Sequence, residues 1–175
     1  TSLTLALFAP YKKYVYVIGD FNNWTVSTDY FMKRASDGAT WWIEIPNLQA
    51  NERYAFQYLV DGEIIIADPY SELVLDPNND QYIAAETYPN PHPYPQGKTS
   101  GIASLVEMTK TPYTWEVSDF IAPEENKLIV YEMLVRDFVA KHNYKTLLDT
   151  LDYLVNLGIN AIELMPINEF EGNES

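Results

Sequence analysis

The sequence predicts a mainly antiparallel β-sandwich followed by the opening strand–helix–strand unit of a parallel α/β domain. Two observations support this fold class. Residues 1–86 contain short runs of β-branched and aromatic residues with turn-forming residues between them. After Pro123 the pattern changes to a nearly continuous apolar run, a helical repeat of apolar residues and a second apolar run.

The strand pattern in the first part of the chain occurs in residues 3–8, 14–18, 40–45 and 54–60. Each run shows partial alternation of apolar and polar residues, as half-buried strands do. Asp61-Gly62, between two apolar runs, is the clearest hairpin signal in the chain. We therefore expect a β-sandwich over residues 1–86.

Residues 87–125 have a different composition. Pro89, Pro91, Pro93 and Pro95 alternate with other residues, a spacing that favours extended backbone over strand or helix. We expect this segment to be a linker or a strap across a surface, with a proline-rich recognition motif as the alternative.

Residues 126–175 carry the strand–helix–strand pattern. Strands are expected at 127–135 and 159–167, with a helix between them that is capped by Asn143 and ended by Gly158. Such a unit requires parallel strands and a right-handed crossover. It cannot bury its own faces, so we expect a truncated piece of a larger domain. Its exposed apolar residues should favour pairing with a second copy: Leu128, Ile129, Val130, Ile162, Leu164 and the apolar stripe of the helix.

Charge and composition narrow the class of partner. The 175 residues carry a formal net charge of -14, which argues against nucleic acid and against an anionic membrane surface. The chain has no cysteine, so disulfides and thiolate metal sites are excluded. No apolar run reaches membrane-spanning length and no signal peptide opens the sequence.

Three ordered sets of motifs carry a family resemblance. They are Val17–Trp24 (VIGDFNNW) with 58–62 (YLVDG) and 67–70 (ADPY), then 130–138 (VYEMLVRDF), and finally 157–166 (LGINAIELMP) with 168–172 (NEFEG). The first set resembles the family 48 carbohydrate-binding module, an immunoglobulin-like sandwich of the E-set type. The other two resemble the first two barrel strands of the α-amylase family, glycoside hydrolase family 13.

The resemblance implies a retaining enzyme that acts on α-glucans such as starch, glycogen or maltodextrin, with a (β/α)8 TIM barrel behind the sandwich. The family's catalytic carboxylates would lie beyond Ser175, so we expect the chain alone to be inactive. The resemblance does not decide whether the enzyme hydrolyses α-1,4 bonds, hydrolyses α-1,6 bonds or transfers glucan chains. A bacterial secreted or periplasmic setting fits somewhat better than the cytoplasm. The alternatives are a stand-alone glucan-binding module without catalysis and a structural, adhesion-type protein, which the motifs after Pro123 argue against.

Trp24 is the candidate sugar-binding residue, because the resemblance places it where binding modules of this family stack a sugar ring. Gln57 and Ile64 stand where, by the same resemblance, the related module in the β subunit of AMP-activated kinase carries a lysine and a second tryptophan. Losing a cation and an aromatic ring should remove much of the affinity. Packing of Trp24 against the sandwich edge is therefore the competing interpretation.

Residues that follow parallel strands line the active-site face of a barrel. Arg136 and Asp137 follow the first strand, and Asn168 and Glu169 follow the second. One interpretation gives these residues a supporting role around the sugar site of the whole enzyme. The competing interpretation, which we favour, is that they form hydrogen bonds that fix the loops. Glu132 and Glu163 do not match the family's catalytic positions; with Arg136 nearby in sequence, they are better explained as neutralised core or interface carboxylates.

No catalytic residue, metal site or cofactor is predicted for this chain, although the resemblance leaves room for calcium in the whole enzyme. The segment 76–80 (DPNND) is rich in oxygen ligands but lacks calcium-loop spacing. A solvated turn explains it better. His92 and His142 have no companion metal ligands nearby in sequence.

Overall fold

The computed structural model describes residues 1–167, which form two compact units. The first comprises residues 1–81 and 91–111; of the described residues, the second comprises 82–90 and 112–167. None of the helices within residues 1–167 combines the length and the apolar character needed to cross a membrane.

Two antiparallel sheets form the first unit. The smaller sheet has the order β1-β4-β3, with strands β1 (Leu3–Phe8), β3 (Lys33–Arg34) and β4 (Thr40–Ile45). The larger has the order β2-β5-β8-β7, with β2 (Val15–Gly19), β5 (Arg53–Val60), β7 (Val74–Leu75) and β8 (Ala103–Glu107), while β6 (Ile64–Ile66) also pairs with β5. The mainly β prediction is confirmed.

Alternating side chains from the two sheets form the main core. Leu5 and Leu7 of β1 and Phe56 and Tyr58 of β5 belong to the same buried cluster. Because side chains on a strand point alternately to opposite faces, this alternation brings one face of each sheet into the shared core.

The larger sheet is also buried on its other face. Ala55, which alternates with the core residues of β5, belongs to a second cluster with Ile18, Trp24, Leu75, Ala103 and Leu105. Tyr94 packs against this cluster. The burial of β5 is therefore nearly continuous rather than alternating, as expected of a strand covered on both sides.

The hairpin predicted at Asp61-Gly62 connects β5 to β6. Both residues have positive φ, 53° and 76°, and Asp61 Oδ1 accepts hydrogen bonds from the backbone N–H groups of Lys13 and Tyr14 at 2.7 and 3.2 Å. A Cβ atom on Gly62 would lie 2.7 Å from the Tyr14 hydroxyl. The positive φ therefore favours glycine at this position, and any larger residue would also displace the Tyr14 side chain.

The structure differs from the predicted division at residues 87–125, which were expected to form a linker or strap. Ala103–Glu107 is strand β8, and it pairs with β5 from Arg53↔Glu107 to Phe56↔Ser104. Residues 91–111 thus belong to the sandwich unit. The sandwich does not end at residue 86, because its larger sheet needs β8 to connect β5 with β7.

The second unit contains two parallel strands with three short helices between them: β9 (Val130–Met133), α1 (Val135–Phe138), α2 (Tyr144–Leu148), α3 (Leu151–Asn156) and β10 (Ala161–Leu164). Met133, Leu147 and Leu154 form its buried cluster. Asn143 caps α2 by accepting a 2.9 Å hydrogen bond from the Thr146 N–H, and Gly158 has φ 85°. Both end signals read from the sequence are therefore confirmed.

The elements of this unit are shorter than predicted. The expected single helix is divided between α2 and α3, where the Thr150 hydroxyl donates to the Leu147 carbonyl oxygen at 2.8 Å. A threonine that bonds the backbone of the preceding turn competes with regular helix hydrogen bonding. The first strand starts at Val130 rather than at residue 127, because 125–127 form a 3₁₀ turn.

Candidate carbohydrate-binding site

Trp24 lies in a tight turn that directs its indole into the molecule. It follows a 3₁₀ turn at Asp20–Asn22 and has φ 62°, and its N–H donates to the Gly19 carbonyl oxygen at 2.8 Å. The indole Nε1–H donates to Asp20 Oδ1 at 3.0 Å. Asp20 Oδ2 accepts the Ala55 N–H at 2.7 Å. One carboxylate therefore fixes the indole to the middle of β5.

Residues 91–102, called the strap below, hold the same face of the sheet. The Tyr94 ring packs on the Trp24 cluster, and its hydroxyl donates to the Gly101 carbonyl oxygen at 2.7 Å. Lys98 Nζ donates to Asn23 Oδ1 at 3.2 Å, beside the tryptophan. Trp24 is consequently only 8% exposed, which leaves no ring face free for a sugar to stack on.

Gln57 secures the strap from below. Its side chain, 1% exposed, donates through Nε2 to the carbonyl oxygens of Ser100 and Ile102 at 2.9 and 2.7 Å. Its Oε1 accepts the Thr99 hydroxyl. Both polar atoms of this buried amide form hydrogen bonds within the unit, so Gln57 anchors the strap to β5.

Ile64, at the second position of interest, is 44% exposed on β6. It offers an apolar surface without an aromatic ring. Of the three positions that bear on sugar binding, Trp24 is therefore buried, Gln57 binds the strap, and Ile64 is exposed but aliphatic.

The acidic loop at residues 76–80 satisfies its own carboxylates. Asp76 accepts from the Asn78 and Asn79 N–H groups and from Asn79 Nδ2, while Asp80 accepts from the Asp76 N–H. Burial acts to raise the pKa of Asp76, but these hydrogen bonds outweigh it and lower the pKa. Burial raises the pKa of Asp80. Across residues 1–167, no group of three or more acidic, histidine or cysteine side chains is placed to hold a metal ion.

The structure describes two of the four residues that were predicted to lie on the active-site face of the barrel. Arg136 and Asp137 lie in α1, directly after β9, and Arg136 Nε donates to Asp137 Oδ1 at 2.9 Å. Asn168 and Glu169 lie outside the described residues. Glu132 and Glu163 face each other in the β9–β10 register and are both exposed.

Sequence reasoning missed the residues that close the Trp24 face, chiefly Tyr94, Lys98 and Thr99. The regular prolines indicated a strap, but they did not indicate where it would lie. The pairing of Gln57 with the strap spans 42 to 45 positions. Local patterns carry no information on contacts at that separation.

Comparison with known proteins gives a consistent picture. Residues 1–71 match the family model for carbohydrate-binding module 48, the isoamylase N-terminal domain. The chain is 27% identical over 176 aligned positions to the 1,4-alpha-glucan branching enzyme of Francisella tularensis subsp. mediasiatica, covering 93% of this chain and 24% of that enzyme. It is 25% identical to the Clostridium perfringens branching enzyme, covering 93% of this chain and 23% of the enzyme.

Solved structures with a similar fold include two pullulanases. The pullulanase from Anoxybacillus sp. LM18-11, complexed with maltotriose, matches with a TM-score of 0.64 at 23% identity. The match covers 98% of this chain and 24% of that pullulanase chain. The apo enzyme from Paenibacillus barengoltzii has a TM-score of 0.62 at 18% identity, covering 97% and 26%. The chain thus spans about a quarter of the proteins that it matches. The family resemblance in the sequence is confirmed: the first 71 residues match carbohydrate-binding module 48, and the relatives of the whole chain belong to glycoside hydrolase family 13.

Proposed function

We propose that this chain is the N-terminal part of an enzyme that hydrolyses or transfers α-glucan chains. The observation that carries the proposal is the extent of the match, since 93% of the chain aligns with branching enzymes beyond the sandwich module alone. A binding module without an enzyme attached has no use for the parallel strands β9 and β10.

The strand pair β9 and β10 is proposed to begin a (β/α)8 barrel behind an immunoglobulin-like sandwich of the E-set type. Parallel pairing from Val130↔Ala161 to Met133↔Leu164, with helices between the strands, supports this proposal. Barrels are built by repeating this unit.

Arg136 and Asp137 are proposed to support the active-site face of that barrel. They follow the carboxyl end of β9, the side on which barrel enzymes place their active sites. Their mutual contact at 2.9 Å would fix the loop rather than contact sugar. Asn168 and Glu169, which follow β10 in sequence, are proposed for the corresponding role after the second strand.

The chain alone is proposed to be inactive. Retaining glycosidases need a nucleophilic carboxylate and a proton-donating carboxyl group on either side of the bond that is cleaved. The resemblance assigns these groups to strands later than the two matched here. Glu132 and Glu163 are neighbours on exposed strands, which supports a structural assignment for both.

The test is an assay of the complete gene product on amylose and on pullulan. Branching activity would lower iodine staining of amylose and create α-1,6 linkages, whereas pullulanase activity would release reducing ends from pullulan. The 175-residue chain is assayed in parallel and should give neither signal. A complete gene product that modifies no α-glucan would overturn the proposed function, and activity of the short chain would overturn its inactivity.

The second candidate, a stand-alone glucan-binding module, has less support. Its usual contact would be Trp24, which is 8% exposed and hydrogen-bonded to Asp20. We infer that Trp24 packs against the sandwich in this chain and that the strap would have to move before a sugar ring could reach it.

Self-association through the second unit is a separate proposal. Five apolar side chains of this unit are each more than one-third exposed: Leu128, Ile129, Val130, Ile162 and Leu164. At roughly 25 cal/mol per Å2 of apolar surface, covering them favours pairing of two copies at high concentration. Light scattering at rising concentration tests this. A strictly monomeric chain whose residues from 127 onward resist proteolysis would contradict it.

A further inference from the structure

The sandwich has a concave surface whose lining residues do not belong to the Trp24 cluster. It is a groove of about 580 Å3 between the 3₁₀ turn at Thr28–Tyr30 and the connection from β4 to β5. Its aromatic wall comes from Phe21, Tyr30 and Tyr54, and its polar rim includes Asp29, Glu44 and Asn47. These residues all belong to the first unit. The three aromatic side chains pack at the edge of the main core rather than with Trp24.

The aromatic wall is fixed by contacts within the sandwich. Phe21 and Tyr30 stack with ring centroids 5.3 Å apart and an interplanar angle of 14°. The Tyr30 hydroxyl donates to the Phe21 carbonyl oxygen at 3.0 Å, and the Tyr54 hydroxyl accepts the Gln49 N–H at 3.0 Å. A wall that is already ordered loses little conformational entropy when a ligand binds.

The rim supplies hydrogen-bonding groups that are free to act on a ligand. Asp29 and Glu44 are exposed, and neither carboxylate forms an ion pair with another residue in the described part of the chain. Carboxylates accept from hydroxyl groups in short, strong hydrogen bonds. The Asn47 amide can both donate and accept. Together with the net charge of -14, the two carboxylates disfavour binding of an anionic ligand.

A neutral ligand rich in hydroxyl groups fits this combination. Its hydroxyls would donate to Asp29 and Glu44, while its apolar C–H surfaces would pack on the aromatic wall. The Trp24 face offers no such surface because the strap and Asp20 occupy it. We propose that the groove lined by Phe21, Tyr30, Tyr54, Asp29, Glu44 and Asn47 is the α-glucan-binding site of this sandwich. The choice of α-glucan as the ligand rests on the proposed function.

Titration of the ¹⁵N-labelled 175-residue chain with maltoheptaose tests the proposal. Saturable shifts are expected for the backbone amides of Asp29, Asn47 and Gln49, with the Trp24 indole N–H unmoved. Replacing both rim acids, Asp29→Asn with Glu44→Gln, keeps the shape and should weaken binding about tenfold or more, since hydrogen bonds to charged groups are the stronger ones. Glu63→Gln, on the β5–β6 hairpin, is the matched control and should bind like the parent.

Three outcomes would overturn the groove assignment: no saturable binding at millimolar maltoheptaose, shifts centred on the Trp24 indole, or equal affinity in the double variant. Groove shifts with oligolysine but not with maltoheptaose would instead identify a site for basic peptides. These failures are distinguishable from failure of the proposed function. A complete gene product that modifies amylose or pullulan while the groove binds no glucan retains the function and loses only this site.

Discussion

The hydroxyl group of buried Tyr58 donates a 2.8 Å hydrogen bond to Asp68 Oδ2, tying β5 to the segment that follows β6. The same aspartate orders its surroundings, since Asp68 Oδ1 accepts the Tyr70 N–H and the Asp68 N–H donates to the Ser104 hydroxyl of β8. Burial raises the pKa of Tyr58, and the neighbouring Asp68 charge adds to the shift. The tyrosine therefore remains a neutral donor throughout the physiological pH range.

Tyr58→Phe should lower the free energy of unfolding of the sandwich by about 1–3 kcal/mol, because it leaves the Asp68 carboxylate without its buried donor. Urea unfolding followed by tryptophan fluorescence measures the change. Tyr11→Phe is the control, since Tyr11 is almost fully exposed. Equal midpoints for the two variants would show that the bond contributes nothing.

Gln57→Leu should destabilise the strap more than the rest of the sandwich. The substitution keeps a side chain of similar size but removes the amide that donates to the Ser100 and Ile102 carbonyl oxygens. Neither Ser100 nor Ile102 is fully buried, so water can reach their carbonyls and each lost hydrogen bond should cost about 0.5–1.5 kcal/mol. Hydrogen exchange of amides 98–102 should accelerate at least tenfold. The control Gln96→Leu, on the exposed part of the strap, should leave that exchange unchanged. Amides 98–102 that stay protected in Gln57→Leu would show that Gln57 does not anchor the strap.

Asp37 should make the sandwich acid-sensitive at low pH. Hydrogen bonds from the Thr40 hydroxyl and from the Ala39 and Thr40 N–H groups lower the pKa of Asp37 from 3.8 to about 2. Because the unfolded chain binds the proton at higher pH, this contribution to stability is complete above about pH 4. It is lost as the pH falls through about 2.

Measuring the thermal midpoint between pH 5 and pH 2 tests the Asp37 prediction. Asp37→Asn should flatten the decline in this range, whereas the control Asp152→Asn should follow the parent chain. A parent and an Asp37→Asn variant with superimposable pH profiles would refute it.

Gly19→Ala should destabilise the end of β2 through steric overlap rather than backbone strain. A Cβ atom there would lie 2.5 Å from the Ala55 carbonyl oxygen and 2.9 Å from Phe56 Cβ. Overpacking of this kind typically costs about 1–3 kcal/mol. Gly97→Ala separates the two effects, because Gly97 has φ 73° and open space around it. Chemical unfolding should show the larger loss for Gly19→Ala.

Local signals in the sequence were sufficient for features that depend on neighbouring residues. The Asp61-Gly62 hairpin, the Asn143 cap and the Gly158 helix end are of this kind. The expected helix is divided at Thr150, whose hydroxyl bonds the preceding turn, and apolar periodicity does not reveal such a hydrogen bond.

Features that depend on distant partners were not predictable in the same way. β8 has only five residues next to a proline-rich stretch, and its pairing partner β5 lies far away in sequence. The burial of Trp24 depends on the strap. The aromatic wall of the groove joins Phe21 and Tyr30, from two 3₁₀ turns, with Tyr54 of β5. The motifs identified the relatives, but only the fold shows which surfaces remain open.

The late position of β8 in the chain has a consequence for synthesis on the ribosome. Arg53 and Glu107, which pair across β5 and β8, are 54 positions apart. At about 5–20 residues per second, β5 emerges roughly 3–11 s before its partner. During that interval the edge of β5 is an unpaired template for other nascent strands. Translation speed between codons 60 and 103 should therefore influence how much of the newly made protein reaches the folded state.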